Sequence, residues 1–248
     1  MVSDRNLTFA VTLLSCSLSA TPFALSGDQQ TAPTPYGSRV EDATALPAEP
    51  ATAFDRAVRE ARSRFFNDRY GTRLEDMPID APPPMIFLDT LDPPPAFPFG
   101  KDPVVVLGKI VDRQSDLSQD RTTVYTLYKV MIEQMLVCPA ACVAAPISNT
   151  ITLVMEGGAV KLPTGRVLRT VVSGAYHPIP GNRYVIFLHP RRDLDAFGVS
   201  KLWLIQDGRS AAVFSEDKPR SEFIGLDETR FLELLKVSAR NAGLSVAK

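Results

Sequence analysis

Hydrophobic and polar residues alternate with a period of two through much of the second half of the chain, the mark of strands with one buried face. The longest case is Thr122 to Leu136. There Val124, Thr126, Tyr128, Val130 and Ile132 fall on one face, and Tyr125, Leu127, Lys129, Met131 and Glu133 on the other. Ahead of it, Val104-Val105-Val106-Leu107 leads into Gly108-Lys109-Ile110-Val111. Behind it come Thr150 to Met155, Ala159 to Leu162, Arg166 to Val172, Arg183 to Leu188, Phe197 to Ile205 and Ser210 to Phe214. The breaks carry turn chemistry: Gly157-Gly158, Pro163-Thr164-Gly165 with glycine last, and Asp207-Gly208. This spacing predicts a mainly β fold over 103–243, a small antiparallel barrel or sandwich of OB-like type with flanking N- and C-terminal helices.

Two segments follow a 3.6-residue period instead. Over 51–70, Phe54, Val58, Ala61 and Phe65 share one face, while Arg56, Arg59, Arg62, Arg64 and Arg69 mostly take the others. The reading is a helix packed through its apolar stripe, its charged face in solvent. A basic helix lying on anionic lipid is the alternative, but Asp55, Glu60 and Asp68 dilute its charge. Near the C-terminus, Phe231, Leu234, Leu235 and Ser238 share a face, Asp227 suits the N-cap and Gly243 the C-terminal cap. Between the first helix and the strands, 78–103 holds Pro82-Pro83-Pro84, Pro93-Pro94-Pro95 and Pro98. Proline fixes φ and removes a donor, so this is an extended strap. Met85, Ile86, Phe87, Leu88, Phe97 and Phe99 imply that it lies along the domain with these side chains tucked in. Residues 51–102 thus read as helix plus proline-rich strap.

The start of the chain has a different character. Residues 1–6 are short and slightly basic, 7–20 form an apolar run, Pro22 breaks any helix, and Ala24-Leu25-Ser26 offers a cleavage site. This is the order of a secretory signal peptide, spanning 1–26. Leu13-Leu14-Ser15-Cys16 admits a second reading, a lipobox with Cys16 lipidated. Residues 27–50 are rich in Pro, Ala, Thr, Ser and Gly and lack aliphatic clusters, the composition of a disordered spacer. The expected location is periplasmic or extracellular, with membrane contact only through the signal segment or a lipid anchor.

Composition narrows the function without defining it. Hydrophobic residues make up 45% of the chain, enough for a core, and the net charge is −1. That balance argues against a nucleic-acid binder. Three cysteines are present; with Cys16 in the leader, Cys138 and Cys142 remain, and an even count in an exported protein favours a disulfide. Five residues wound into a turn bring the two Cα atoms within bridging range. Free thiols and a redox pair are the alternatives, the latter weakened by three intervening residues rather than two.

Only two histidines exist, His177 and His189, each before a proline and so in extended or turn backbone. They are too few for a zinc site without cysteine partners, no cofactor motif is present, and no Gly-x-Ser-x-Gly elbow presents a serine. The default for both histidines is a surface or rim position. Asp120 and Arg121, in Ser118-Gln119-Asp120-Arg121, and Arg191, in His189-Pro190-Arg191-Arg192-Asp193, are weak ligand-site candidates whose default readings are a charged hairpin tip and a solvated loop.

Residues 99 to 235 carry Val105-Val106-Leu107-Gly108-Lys109-Ile110, Leu117-Ser118-Gln119-Asp120-Arg121-Thr122-Thr123-Val124-Tyr125-Thr126, Gly157-Gly158, Leu162-Pro163-Thr164-Gly165, Pro180-Gly181-Asn182-Arg183-Tyr184-Val185-Ile186-Phe187-Leu188 and Gly208. Together these resemble a group of exported bacterial proteins of unknown function. Such proteins continue from the long strand into an acidic turn with lysine and glycine, where this chain has Cys138-Pro139-Ala140-Ala141-Cys142. The resemblance implies export and a β-barrel-like core, and no activity. The functional expectation is a non-enzymatic module of the cell envelope that binds a protein or polymer. A hydrolase with a site assembled from loops, and a protease-inhibitor-like barrel, are the alternatives.

Overall fold

Strand length sets the architecture. Residues Val104–Leu117 and Val124–Val137 form two antiparallel strands of 14 residues each. A straight strand of that length would run on the order of 45 Å, too long for a small core, so the pair must bend. Register shifts between Val105/Val106, Leu107/Gly108 and Ile110/Asp112 supply the bend. Gly108 is obligatory there: a Cβ would lie 2.7 Å from Val130 Cγ1 and 2.9 Å from the Met131 carbonyl oxygen.

The computed structural model describes residues 43–87, 95–100, 103–138, 149–173, 175–212 and 223–246. The signal-like segment, Cys16, the spacer up to residue 42 and Cys142 fall outside them. In chain order the elements are β1 (Thr44–Ala45), α1 (Ala53–Phe65), β2 (Met85–Phe87), β3 (Val104–Leu117), β4 (Val124–Val137), β5 (Thr150–Glu156), β6 (Gly158–Lys161), β7 (Val167–Ser173), β8 (Arg183–Arg191), β9 (Ala196–Gln206), β10 (Arg209–Ala212) and α2 (Glu228–Asn241). The fold is mainly β, as its alternation predicts.

Strand β3 pairs with β4 and β8, β4 with β5, and β8 with β9, all antiparallel. A parallel contact between β5 and β9, at Leu153 and Phe197, closes the ring. The closed order β3-β4-β5-β9-β8 is the connectivity of an OB-type barrel. Its interior is filled by Tyr128, Tyr184, Val130, Leu153, Ile186 and Leu202, all fully buried. Between the third and fourth barrel strands the chain inserts the β6–β7 hairpin, turned by Gly165 at φ 87°. That hairpin forms a second sheet with β1 and β2 added in parallel at its two edges. Among the described residues pairing therefore begins at Thr44, inside the segment expected to be spacer.

Two covers close the outside of the barrel. Helix α2 buries Phe231, Leu235 and Ala239 against Val105, Val185, Phe187 and Trp203. Asp227 caps its start by accepting from the Thr229 and Arg230 N–H groups. Gly243, at φ 75°, ends it in a Schellman motif, with Leu244 N–H donating to the Ala239 carbonyl and Gly243 N–H to that of Arg240. The buried stripe is Phe231/Leu235/Ala239, so Leu234 and Ser238 flank it rather than centre it. The tail of the strap joins this layer. Phe97 packs among the rings of Phe187, Trp203, Phe223 and Phe231, and Trp203 Nε1 donates to the Ala96 carbonyl at 3.1 Å. The strap's earlier part behaves differently: Met85 is about half exposed, although Met85–Phe87 pairs with β7.

The first cover, α1, corrects the expectation of an apolar docking stripe. No residue of the helix is fully buried, and Phe54 is 67% exposed. The helix docks through arginines instead. Arg59 binds Asp116 with Nε–Oδ2 at 2.8 Å and Nη2–Oδ1 at 3.3 Å. Arg62 donates to the carbonyls of Leu194 and Asp195, both at 2.8 Å. The apolar anchor is Phe66, one residue past the helix, stacked on Tyr125 at 4.9 Å.

This packing predicts unequal costs for two phenylalanines. Phe231→Ala should lower the unfolding free energy by about 3–5 kcal/mol. Phe54→Ala should change it by less than about 0.5 kcal/mol. Urea titration of both variants checks the contrast; equal losses would contradict the docking described.

Candidate functional site

OB-type barrels take ligands on the face of their second and third strands, between the loop joining strands one and two and the loop joining strands four and five. Here those loops are residues 118–123 and 192–195, and the face is that of β4 and β5. Helix α1 and the segment after it occupy part of this ground. Gln119 N–H donates to the Ser63 carbonyl, and Asp120 N–H to Asn67 Oδ1.

The first loop is structural. Asp120 accepts from Asp68 N–H at 2.6 Å, from the Ser118 hydroxyl at 2.7 Å, and from both the N–H and hydroxyl of Thr122. Burial alone would raise its pKa; these donors outweigh it and hold the carboxyl below its usual range. Arg121 adopts a left-handed backbone (φ 64°) and pairs with Glu75. Both candidates thus staple 66–76 to the barrel.

His177 overturns the rim expectation. It is only 3% exposed, and its Nδ1 lies 2.8 Å from the Tyr128 hydroxyl at the barrel interior. Its Nε2 has no hydrogen-bond partner among the described residues and faces the backbone at Gly157, where a Cβ would sit 2.9 Å away. Burial pushes its pKa down to about 4, with the Glu156 backbone opposing and Arg113 adding to the effect. The segment 175–182 is aperiodic, so no pattern marks which of its residues turn inward.

His189 and Arg191, by contrast, meet in one place. The expected solvated loop there is the end of β8, which runs to Arg191. Pro190 is tolerated because β3 stops pairing at Leu188, leaving 189–191 bonded on one side only. The His189 ring lies over Gly198 of β9, where a Cβ would be 2.2 Å from Nε2. Its Nδ1 is 3.2 Å from Ser200 Oγ. Burial, and then Arg191, hold the imidazole below its usual pKa.

These two residues line a cleft of about 290 Å³ between β5, β8, β9 and the end of α1. Three further residues, none of them a site candidate from sequence, complete it. Phe65 has the Arg191 guanidinium 4.8 Å and the Arg69 guanidinium 5.7 Å from its ring centroid. Arg69 Nε lies 3.4 Å from Glu156 Oε1. That oxygen is buried with no hydrogen-bond donor, and burial raises the Glu156 pKa, with Arg69 partly offsetting it. Among the described residues Arg191 has no carboxylate partner. Among the described residues the cleft therefore combines a guanidinium with no carboxylate opposite it, the Arg69–Glu156 ion pair and a wall of apolar side chains from Val154, Val172 and Val199. The chain matches no family model, and no curated protein and no solved structure matches it.

His177 generates a pH prediction. Unfolded, it takes a proton near pH 6.5; folded, only near 4. Between those values the unfolded state binds more protons, so the stabilisation is present above about pH 6.5 and lost as pH falls through 4. The full loss is on the order of 3 kcal/mol. His177→Gln should flatten that part of the stability curve, as read by urea unfolding at a series of pH values. An unchanged slope would assign the effect to another group.

Proposed function

We propose that this protein is an exported, non-enzymatic binding module of the cell envelope whose OB-like barrel holds a protein or polymer ligand at the Arg191 cleft. The observation that carries the reading is Arg191 itself. Its charge sits on Phe65 at the rim of the barrel's ligand face with no carboxylate opposite it among the described residues. A cation held this way is available to a ligand, whereas Arg59, Arg62 and Arg121 are each committed to protein partners. Export is supported by the order of charged, apolar and small residues over 1–26 and by the resemblance to exported bacterial proteins. Fold alone does not assign function, so the barrel contributes only a site of the right kind.

Immobilised mature protein should retain a component of its native host's envelope extract. Arg191→Glu, with an unchanged melting temperature, should abolish that retention. Equal retention by the variant would remove the cleft from the reading.

One observation favours a hydrolase: Ser200 Oγ beside His189 Nδ1 is the spacing of an activated serine. A fluorophosphonate probe separates the two readings. The binding module leaves Ser200 unlabelled, and labelling that disappears in Ser200→Ala would establish the enzyme.

In an exported protein of this kind a Cys138–Cys142 bridge pins the turn after β4. Cys138 is fixed at the strand end, its N–H donating to the Ser245 carbonyl at 3.4 Å. So short a loop should add about 1–2 kcal/mol. Alkylation of unreduced, denatured mature protein should modify neither cysteine; two modified cysteines would show that there is no bridge.

A further inference from the structure

We infer that the Arg191 cleft takes up an oxyanion together with a proton, Glu156 being the built-in counter-ion that competes with the incoming anion for Arg69. The inference rests on the binding reading above and adds how that site is regulated. A guanidinium fork fits carboxylate, phosphate and sulfate alike, so the ligand chemistry is the oxyanion they share.

Two positive charges and one negative charge are gathered around a single ring. The Arg191 and Arg69 guanidiniums lie 4.8 and 5.7 Å from the Phe65 centroid. At most they are separated by about 10 Å, one Debye length at 0.1 M salt. Glu156 is the counter-ion of Arg69, with Nε 3.4 Å from Oε1, whereas Arg191 has no carboxylate opposite it among the described residues. An anion seated on Arg191 therefore meets an Arg69 whose charge Glu156 largely cancels. A proton on Glu156 removes that cancellation and leaves both guanidiniums to the ligand. The paired oxygen is buried, but the Glu156 side chain keeps 18% of its surface exposed, so a solvent proton reaches the carboxylate without unfolding. Burial already favours the protonated form, with Arg69 opposing it.

The other titratable groups around Glu156 do not supply this coupling at neutral pH. His189, across the cleft, is kept neutral there by burial and then by Arg191. His177, behind the Glu156 backbone, takes its proton only near pH 4. Tyr125, opposite Glu156 on β4, donates its hydroxyl to Asp116. Linkage makes the effect reciprocal: if a proton on Glu156 strengthens anion binding, a bound anion must raise the pH at which Glu156 titrates.

The test is NMR titration of the full-length mature protein with sulfate and with methanesulfonate, whose charges stay constant between about pH 4.5 and 7.5, a window that spans the ordinary Glu and His midpoints. Wild-type affinity for both anions should rise about tenfold or more from the upper to the lower pH. Glu156→Gln, melting close to wild type, should bind them at pH 7.5 about tenfold more tightly than wild type does. Both histidines are neutral there in either protein and cannot produce that difference. A second reading needs no variant: saturating sulfate should move the wild-type Glu156 titration to higher pH. Equal affinity of Glu156→Gln and wild type at pH 7.5, or a Glu156 titration unmoved by sulfate, would overturn the inference. If binding is lost in Arg191→Glu yet is indifferent to Glu156→Gln, the proton coupling is wrong and the Arg191 reading stands. If neither anion binds in an Arg191-dependent way, both fall.

Discussion

Strand β3 is the constraint on which the rest depends, because it must serve two partners that do not run together. It pairs with β4 along its length, but with β8 only from Val104 to Lys109. The bend at Gly108 lets its first half wall the barrel while its second half leaves toward the small sheet. Ser115 N–H then donates to Thr44 Oγ1, and Gln114 Nε2 donates to the Ala45 carbonyl, anchoring β1. The same departure brings Asp116 to the barrel surface, 5% exposed, where Arg59 and the Tyr125 hydroxyl meet it. A buried carboxylate of this kind holds only while paired, so Asp116 couples α1 to the barrel alongside the Arg62 and Phe66 contacts.

The two covers use different chemistry for a physical reason. The face under α2 is a field of large apolar groups, and an apolar helix with aromatic reinforcement from the strap seals it. The face under α1 ends in loops whose carbonyls, at Leu194 and Asp195, need donors. Arginine supplies several donors on a long stem that also covers apolar surface. Arg183 does similar work on the other side, its guanidinium shared between Glu133 of β4 and Glu228 of α2. The candidate cleft lies where the first cover stops. Phe65 ends α1, and Arg69 follows only four residues later, so the helix terminus itself forms one wall of the site.

Much of this fold was legible in sequence where one rule governs. The period-two alternation of β4, the Pro163-Thr164-Gly165 hairpin, the Asp207-Gly208 turn and the caps of α2 all follow from local chemistry. The docking of α1 was not, because the apolar stripe of Phe54, Val58, Ala61 and Phe65 outweighs arginines whose partners lie far along the chain, at Asp116 and Leu194. His177 was misplaced because its burial depends on Gly157 leaving room for its ring. Of the cleft, His189 and Arg191 were visible as a basic cluster. Arg69, Phe65 and Glu156 join them only through tertiary closure, and the one signal was an aromatic followed four residues later by an arginine at a helix end.

The central claim is that the ligand face of this barrel lies beside Arg191 and not elsewhere on the surface. Backbone-amide NMR of labelled protein, with and without the retained envelope component, addresses it most directly. The account predicts shift changes gathered at residues 65–69, 154–156, 189–191 and 198–200, with the α2 face unmoved. Changes centred instead on a larger hollow of about 440 Å³, lined by residues of Met77–Pro84 and Thr164–Arg169, would contradict it.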